Sequence, residues 1–124
     1  MSYDELLKEL NKALATFRAR GLSEKDLQES FHELLCSFLP AVTREHRLNP
    51  KDIPDFTVPI VGGLAAIELK VKGSPSAILR QIKRYADLQE VAGVILVCLT
   101  PLRNLPSTLS GKPVMQISLY RNML

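Results

Sequence analysis

The chain has 124 residues, of which 46% are apolar and 23% charged, with a formal net charge of +3. A chain of this length builds one domain around one core, and the composition excludes a disordered or fibrous protein. The small positive charge permits a nucleic-acid partner without requiring one. No apolar run approaches the ~20 residues of a membrane span, and the acidic N-terminus is unlike a signal peptide. We therefore expect a single cytoplasmic domain, 1–124, with no membrane segment.

Several common kinds of active site have no signature in the sequence. Cys36 and Cys98 fall on a predicted helix and a predicted strand, without Cys-x-x-Cys or paired His/Cys spacing. This pattern predicts two reduced core thiols and no zinc site. His32 and His46 are expected to be a surface and a strand residue, respectively, rather than a catalytic base or ligand. No Ser/His/Asp, Cys/His or P-loop arrangement is present.

Two helices are predicted near the N-terminus. Leucine and phenylalanine recur at helical spacing over 3–19, and Gly21 ends this first helix. Ser23 is predicted to cap a second helix that runs to about Leu39, where Pro40 stops it. The segment 41–48 is a predicted strand and 49–52 a turn.

A hairpin is predicted over Pro54–Lys70, because apolar and polar residues alternate on both sides of Gly62-Gly63. Alternation puts successive side chains on opposite faces of a strand. The apolar face holds Phe56, Val58, Ile60, Ala65, Ile67, Leu69 and Val71, and the polar face holds Asp55, Thr57, Glu68 and Lys70. Charged side chains on a buried sheet are costly to desolvate unless they are paired or bind a metal.

The remaining elements predict an α/β fold. Ser74 and Pro75 form a typical helix start, and the third helix is expected over 74–89. The apolar run 92–99 predicts a central strand covered on both faces. A loop is predicted over 101–113 and a final strand over 114–120. Because this helix lies between strands, the chain should contain at least one crossover connection.

Asp55, Glu68 and Lys70 form the chemically most informative set. Two carboxylates that are neighbours across a strand pair lie about 4–5 Å apart. They can share a hard cation such as Mg²⁺, and water molecules then fill its remaining coordination positions. A lysine beside them can orient a metal-bound water, or stabilise the charge that develops as a phosphodiester is attacked. The set therefore predicts metal-assisted hydrolysis of a nucleic-acid backbone.

These residues closely resemble the PD-(D/E)xK nuclease superfamily over about residues 23–120. The resemblance is carried by Pro54-Asp55 followed by Glu68-Leu69-Lys70, on a plan of helix, three strands, helix and strand. Gln81-Ile-Lys-Arg-Tyr85 looks like the QxxxY motif of RecB-type members. The resemblance implies a restriction-endonuclease-like core, with a mixed sheet of about five strands flanked by helices. The helix over 3–19 is then an N-terminal addition.

The resemblance also implies roles for individual residues. Asp55 and Glu68 would be ligands of Mg²⁺, with Mn²⁺ as a substitute, and Lys70 would act on the water or the developing charge. Gln81 and Tyr85 would support the site or contact the substrate.

Many members of the superfamily use a further acid, for which four candidates remain open. They are Glu24, Glu29, Glu33 and Glu45. Helical geometry puts Glu24 on the inward side of its helix and the next two nearly opposite. Glu24 and Gln28 also resemble the E-x-x-(L/I)-Q opening of VRR-type and Holliday-junction-resolvase-like members. We therefore assign Glu24 as a catalytic residue and third metal ligand, with helix stabilisation as the alternative.

A cluster of basic residues surrounds the predicted site and could hold phosphates. Its members are Lys70, Lys72, Arg80, Lys83 and Arg84. We assign Lys72, Arg80, Arg84 and Tyr85 as substrate-binding residues, with a solvated helix face as the alternative for the α-helical cations.

The sequence predicts a Mg²⁺-dependent nuclease that hydrolyses DNA. Two alternatives stay open: a non-catalytic binding or assembly module of the same fold, and a fortuitous motif in which Asp55 and Lys70 form a structural ion pair. Specificity would come from substrate structure, a second subunit in a homodimer, or a partner protein. The residues do not separate DNA from RNA, or endonuclease from exonuclease.

Overall fold

A mixed sheet of six strands forms the centre of the fold, with the strand order β1-β2-β3-β4-β6-β5. The computed structural model describes residues 1–17 and 23–119. In chain order the elements are α1 (Tyr3–Ala15), α2 (Glu24–Phe38), β1 (Thr43–Arg44), β2 (Phe56–Ile60), β3 (Gly63–Lys70), α3 (Pro75–Asp87), β4 (Val91–Cys98), β5 (Thr108–Leu109) and β6 (Lys112–Ser118). The predicted α/β class is confirmed.

Both predicted serine caps are confirmed. The Ser23 hydroxyl accepts the Asp26 N–H, and the Ser74 hydroxyl accepts the Ala77 N–H at the start of α3. The first helix is shorter than predicted. Thr16 donates from both its N–H and its hydroxyl to Ala13, which tightens the last turn and ends α1. The rest of that prediction, at 18–22, lies outside the described residues.

The prediction of a strand over 41–48 is correct only at Thr43 and Arg44, the two residues of this segment that pair with β2, and is wrong for the rest of the segment. Glu45 adopts a φ of 52°, in the left-handed region, and this turns the chain away from the sheet. The Leu48 N–H then donates to the Asp52 carbonyl and closes a loop over 45–52.

The prediction of about five strands is also wrong, because the segment predicted as a loop contains β5. Ser110 and Gly111 both have positive φ and connect β5 to β6 in a tight hairpin. Residue type alone does not distinguish a two-residue strand of this kind from a loop. The final strand accordingly begins at Lys112, and its predicted last residue lies outside the described part of the chain.

The hairpin of β2 and β3 has the predicted faces, but the predicted Gly62-Gly63 turn is wrong by one residue, because Ile60 pairs with Gly63 and the turn residues are Val61 and Gly62. Phe56 pairs with Ile67 and Val58 with Ala65, so their side chains share the core with α1 and α2. Gly63 is required as the first residue of β3, since a Cβ there would lie 2.3 Å from the Glu90 carbonyl oxygen. Ala66, on the opposite face of β3, packs in a second core against α3.

The predicted crossover is confirmed between β3 and β4, which pair in parallel with α3 between them. Cys36 and Cys98 are both free thiols. The predicted core position is confirmed for Cys98, which is buried, and is wrong for Cys36, which lies on an exposed face of α2. Within 1–17 and 23–119, no helix is long and apolar enough to cross a membrane.

Candidate active site

The two predicted carboxylates meet at the end of the sheet where β2 begins and β3 ends. Asp55 precedes β2 directly, and the pairing of Phe56 with Ile67 brings it opposite Glu68. The Asp55 N–H donates to Glu68 Oε1 at 3.2 Å. In return, Asp55 Oδ2 accepts the Leu69 N–H at 2.8 Å. Each carboxylate is thus held against the backbone of the other's strand.

This pair lies in a setting that disfavours two negative charges. Glu68 is 2% exposed and Asp55 is half-buried. Burial, followed by repulsion from Glu68, raises the pKa of Asp55 to about 7. Burial also raises the pKa of Glu68, although the charge of Lys70 opposes it. A cation bound between the carboxylates would favour the doubly ionised form.

Lys70 is the cation beside the pair. It follows Glu68 by two residues on the same face of β3, and its Nζ lies 3.1 Å from Glu68 Oε2. The Lys70 side chain is 22% exposed, so the ammonium remains accessible from solvent. It can therefore contact a bound anion while it stays close to Glu68.

α3 supports Glu68 through two side chains one helical turn apart. The Tyr85 hydroxyl donates to Glu68 Oε1 at 3.1 Å, and Gln81 Nε2 donates to the Tyr85 oxygen at 3.0 Å. Burial and the charge of Glu68 raise the pKa of Tyr85, which keeps the phenol a neutral donor. Because Tyr85 is 1% exposed, its position favours support of the site over contact with substrate.

Of the four candidate acids, Glu24 is the one whose carboxylate contacts the site end of β3. Its Oε1 accepts the Val71 N–H at 3.3 Å, and its charge contributes to the raised pKa of Asp55. Glu29 and Glu33 are exposed farther along α2. Glu45 is exposed and lies 4.0 Å from Arg44.

Gln28 is a site residue to which the sequence assigned no role. Its Nε2 donates to Asp55 Oδ1 at 3.2 Å, from one helical turn beyond Glu24. The signal was the i, i+4 spacing of the two residues on the inward stripe of α2. Nothing local in the sequence indicates that the partner of Gln28 is Asp55.

The basic cluster divides into paired and unpaired members. Arg84 Nε donates to Asp52 Oδ1 at 3.0 Å and so fastens the loop over 45–52 to α3. Lys83 pairs with Asp87 at 3.1 Å, at the end of α3. Lys72 and Arg80 are exposed and make no ion pair within the described residues. They remain the members best able to bind phosphate.

The donor set fits Mg²⁺ with two protein carboxylates. Both Asp55 oxygens and Glu68 Oε2 each accept one hydrogen bond and keep a lone pair, whereas Glu68 Oε1 accepts two. Mg²⁺ prefers oxygen ligands and commonly uses one or two carboxylates with several waters. Among the described residues, no group of three or more His, Cys, Asp or Glu is arranged to hold a metal. Direct ligation by Glu24 as a third acid therefore stays a prediction.

Comparison with known proteins gives no family. No protein-family model, curated protein or solved structure matches this chain. The resemblance to the PD-(D/E)xK superfamily stays a prediction that rests on the residues themselves.

Proposed function

We propose that the protein is a Mg²⁺-dependent nuclease that hydrolyses phosphodiester bonds of DNA, with Mn²⁺ as a substitute cation. One observation carries the proposal: the adjacent, largely buried carboxylates of Asp55 and Glu68, with Lys70 beside them. Burial of two neighbouring carboxylates destabilises a fold unless a cation offsets their repulsion. Strongly raised carboxyl pKa values of this origin are a feature of functional sites.

The residues of the chain would divide the chemistry as follows. Asp55 and Glu68 would hold the cation through the oxygens that keep a lone pair. When bound, the cation supplies a Lewis acid and lowers the pKa of a coordinated water. Lys70 would stabilise the negative charge that develops on the attacked phosphate. Tyr85 and Gln28 would keep the two carboxylates oriented, and Gln81 would act through Tyr85.

A restriction-endonuclease-like core is part of the proposal. It is supported by an antiparallel hairpin that carries the acids, followed by a crossover helix and a central parallel strand. α1 is then an addition to this core. Lys72 and Arg80 would contact the DNA backbone, and Arg84 would do so only through the part of its guanidinium that Asp52 leaves open.

The proposal also covers the cellular location of the protein and the origin of its substrate specificity. The exposed free thiol of Cys36 suits a reducing compartment such as the cytoplasm. Specificity would come from the structure of the DNA, from a second copy of the chain or from a partner protein.

The proposal is tested with linear duplex, single-stranded and four-way-junction DNA, incubated with Mg²⁺, Mn²⁺ or chelator. We expect cation-dependent cleavage, lost at least about a hundredfold in Asp55→Asn and Lys70→Ala. Asp4→Asn and Lys12→Ala remove the same charges from the exposed face of α1 and should cleave like the wild type. Folded wild-type protein that cleaves none of these substrates, and whose melting temperature does not respond to either cation, would contradict the proposal.

A second candidate is a non-catalytic DNA-binding module of the same fold. It is favoured by one specific observation: every carboxylate oxygen of the pair already accepts a hydrogen bond, without a third acid. This candidate predicts DNA binding that is equal in chelator and in Mg²⁺, with no cleavage.

A further inference from the structure

His46 is hydrogen-bonded to the polar face of β2, at a residue two positions along the strand from Asp55. Its Nδ1 is 2.8 Å from Oγ1 of Thr57, a residue that is 1% exposed. Thr57 follows Asp55 by two residues and pairs with Ala66, whose side chain packs towards α3. The imidazole is thereby held at Thr57, which lies roughly 7 Å along the strand from Asp55, the length of one two-residue repeat.

The buried threonine fixes which imidazole nitrogen carries the proton. Within the described residues, the contact with His46 is the one hydrogen bond made by the Thr57 hydroxyl. A buried hydroxyl proton without an acceptor is unfavourable, so Thr57 donates to Nδ1. In a neutral imidazole that accepts at Nδ1, the proton is on Nε2. An imidazolium carries a proton there as well, so Nε2 is a donor in both charge states.

The loop that carries His46 is held in place at two further points. Leu48 packs against the core beneath α3, and Asp52 pairs with Arg84. His46 itself is only half-buried, and its Nε2 makes no hydrogen bond to a described residue. A fixed, accessible N–H donor with Arg44, Arg47 and Lys51 on the same segment is suited to an anionic oxygen.

We propose that His46 is a substrate-binding residue, whose Nε2–H donates to a backbone phosphate flanking the one that is attacked at the site of Asp55 and Glu68. A flanking phosphate is indicated because the distance from Thr57 to Asp55 exceeds the reach of one phosphate group. This inference rests on the proposed nuclease function. The competing role is purely structural, in which His46 serves only to satisfy the Thr57 hydroxyl.

Two substitutions separate these roles. In His46→Asn, the side-chain oxygen takes the place of Nδ1 and still accepts from Thr57, but the outward donor is lost. In His46→Gln, an amide N–H remains near the place of Nε2, but the acceptor for Thr57 is lost. Binding of a short fluorescein-labelled DNA, as single strand and as duplex, is measured by anisotropy in Ca²⁺ at fixed ionic strength.

We expect His46→Asn to weaken DNA binding about fivefold to tenfold while the unfolding midpoint stays close to that of the wild type. His46→Gln should show the reverse: nearly normal binding and a lowered midpoint. In cleavage assays, His46→Asn should raise KM and leave kcat unchanged. If the wild type binds DNA and His46→Asn binds it equally well, the inference about His46 is overturned and the nuclease proposal stands. If the folded wild type binds no DNA, both the inference and the nuclease proposal are overturned.

A measurement on the wild type avoids any dependence on how the variants fold. The imidazole ¹⁵N resonances, assigned by comparison with His32→Gln, should give the Nε2–H form of His46 at alkaline pH. Addition of the labelled DNA should shift the His46 Nε2 resonance. An Nδ1–H tautomer, or an Nε2 resonance that does not respond to saturating DNA, would overturn the inference.

Discussion

The two helices that reach the carboxylate pair hold its members in different ways. α3 fixes Glu68 through Tyr85, whose hydroxyl is buried and itself held by Gln81. α2 reaches Asp55 through Gln28, which is half-buried, at the longer distance of 3.2 Å. Glu68 is therefore held by a donor from the buried core, whereas Oδ1 of Asp55 is held by a half-buried amide and only its Oδ2 by the backbone. If the pair holds the proposed cation, we expect Glu68 to be the fixed ligand and Asp55 to be the one that adjusts.

The largest expected effect comes from removing either charge of the pair. Asp55→Asn and Glu68→Gln should each lower cleavage by at least about a hundredfold, because one cation ligand is lost. They should differ in stability. Asparagine keeps an oxygen for the Leu69 N–H, and the amide of Gln28 can turn to accept from it. Glutamine at 68 instead presents an N–H₂ group to the donors that surround the carboxylate. Equal urea midpoints for the two variants would contradict the fixed-and-adjustable distinction.

Removing the donor that each helix supplies should show directly how much α3 and α2 contribute to cation affinity. Tyr85→Phe removes one hydrogen bond to buried Glu68 and should lower cation affinity about tenfold to a hundredfold. Gln28→Leu should lower it by only about threefold, since water can replace the amide at half-buried Asp55. Calorimetric titration with Mn²⁺ gives both values. The matched control for Tyr85→Phe is Tyr3→Phe, which removes a hydroxyl remote from the carboxylate pair. Phe17→Tyr is unsuitable as a control because Phe17 is buried.

The stability of the cation-free protein should depend on pH through Asp55. Its pKa is raised from an ordinary carboxyl value to about 7, so the folded state binds the proton more tightly than the unfolded state. The resulting stability is complete below about pH 4 and is lost as pH rises through 7. In chelator, the wild type should therefore lose about 1–2 kcal/mol more than Asp55→Asn between pH 5 and pH 8, after allowance for the partial exposure of Asp55.

Urea unfolding of both proteins at the two pH values checks this expectation. The raised pKa of Glu68 acts in the same direction, and because the two carboxyl groups interact, the difference between the proteins reports the titration of the pair. Saturating Mg²⁺ should remove the difference by favouring the ionised pair. A wild type that gains stability relative to Asp55→Asn as pH rises in chelator would have the opposite sign and would contradict the burial argument.

The parts of this site that were predictable from sequence are those fixed by local geometry. Alternation on both sides of Gly62-Gly63 is enough to place Asp55 and Glu68 on one face of the hairpin. Their direct pairing depends on the register, which is set by a turn at Val61-Gly62 rather than at Gly62-Gly63. The spacing of Gln81 and Tyr85 likewise follows from one helical turn. These relations need no knowledge of the rest of the fold.

The unpredicted parts depend on contacts between segments far apart in the chain. Gln28 contacts Asp55, and Arg84 pairs with Asp52, across separations of 27 and 32 residues. Glu45 has a left-handed backbone although its residue type does not favour one, so the end of β1 has no local signal. Here the packing of the loop over α3 outweighs the preference of the residue.

The smallest expected effect concerns the acid that completes the site. Glu24→Gln should lower cleavage by about twofold to fivefold, because Glu24 is exposed and its charge reaches the pair mainly through solvent. Glu29→Gln, on the same helix but farther from the hairpin, and Glu45→Gln should have no effect. A loss of a hundredfold or more in Glu24→Gln would instead show direct ligation of the cation. In that case α2, and not only α3, would supply a fixed part of the site, and the contrast between the two helices would disappear.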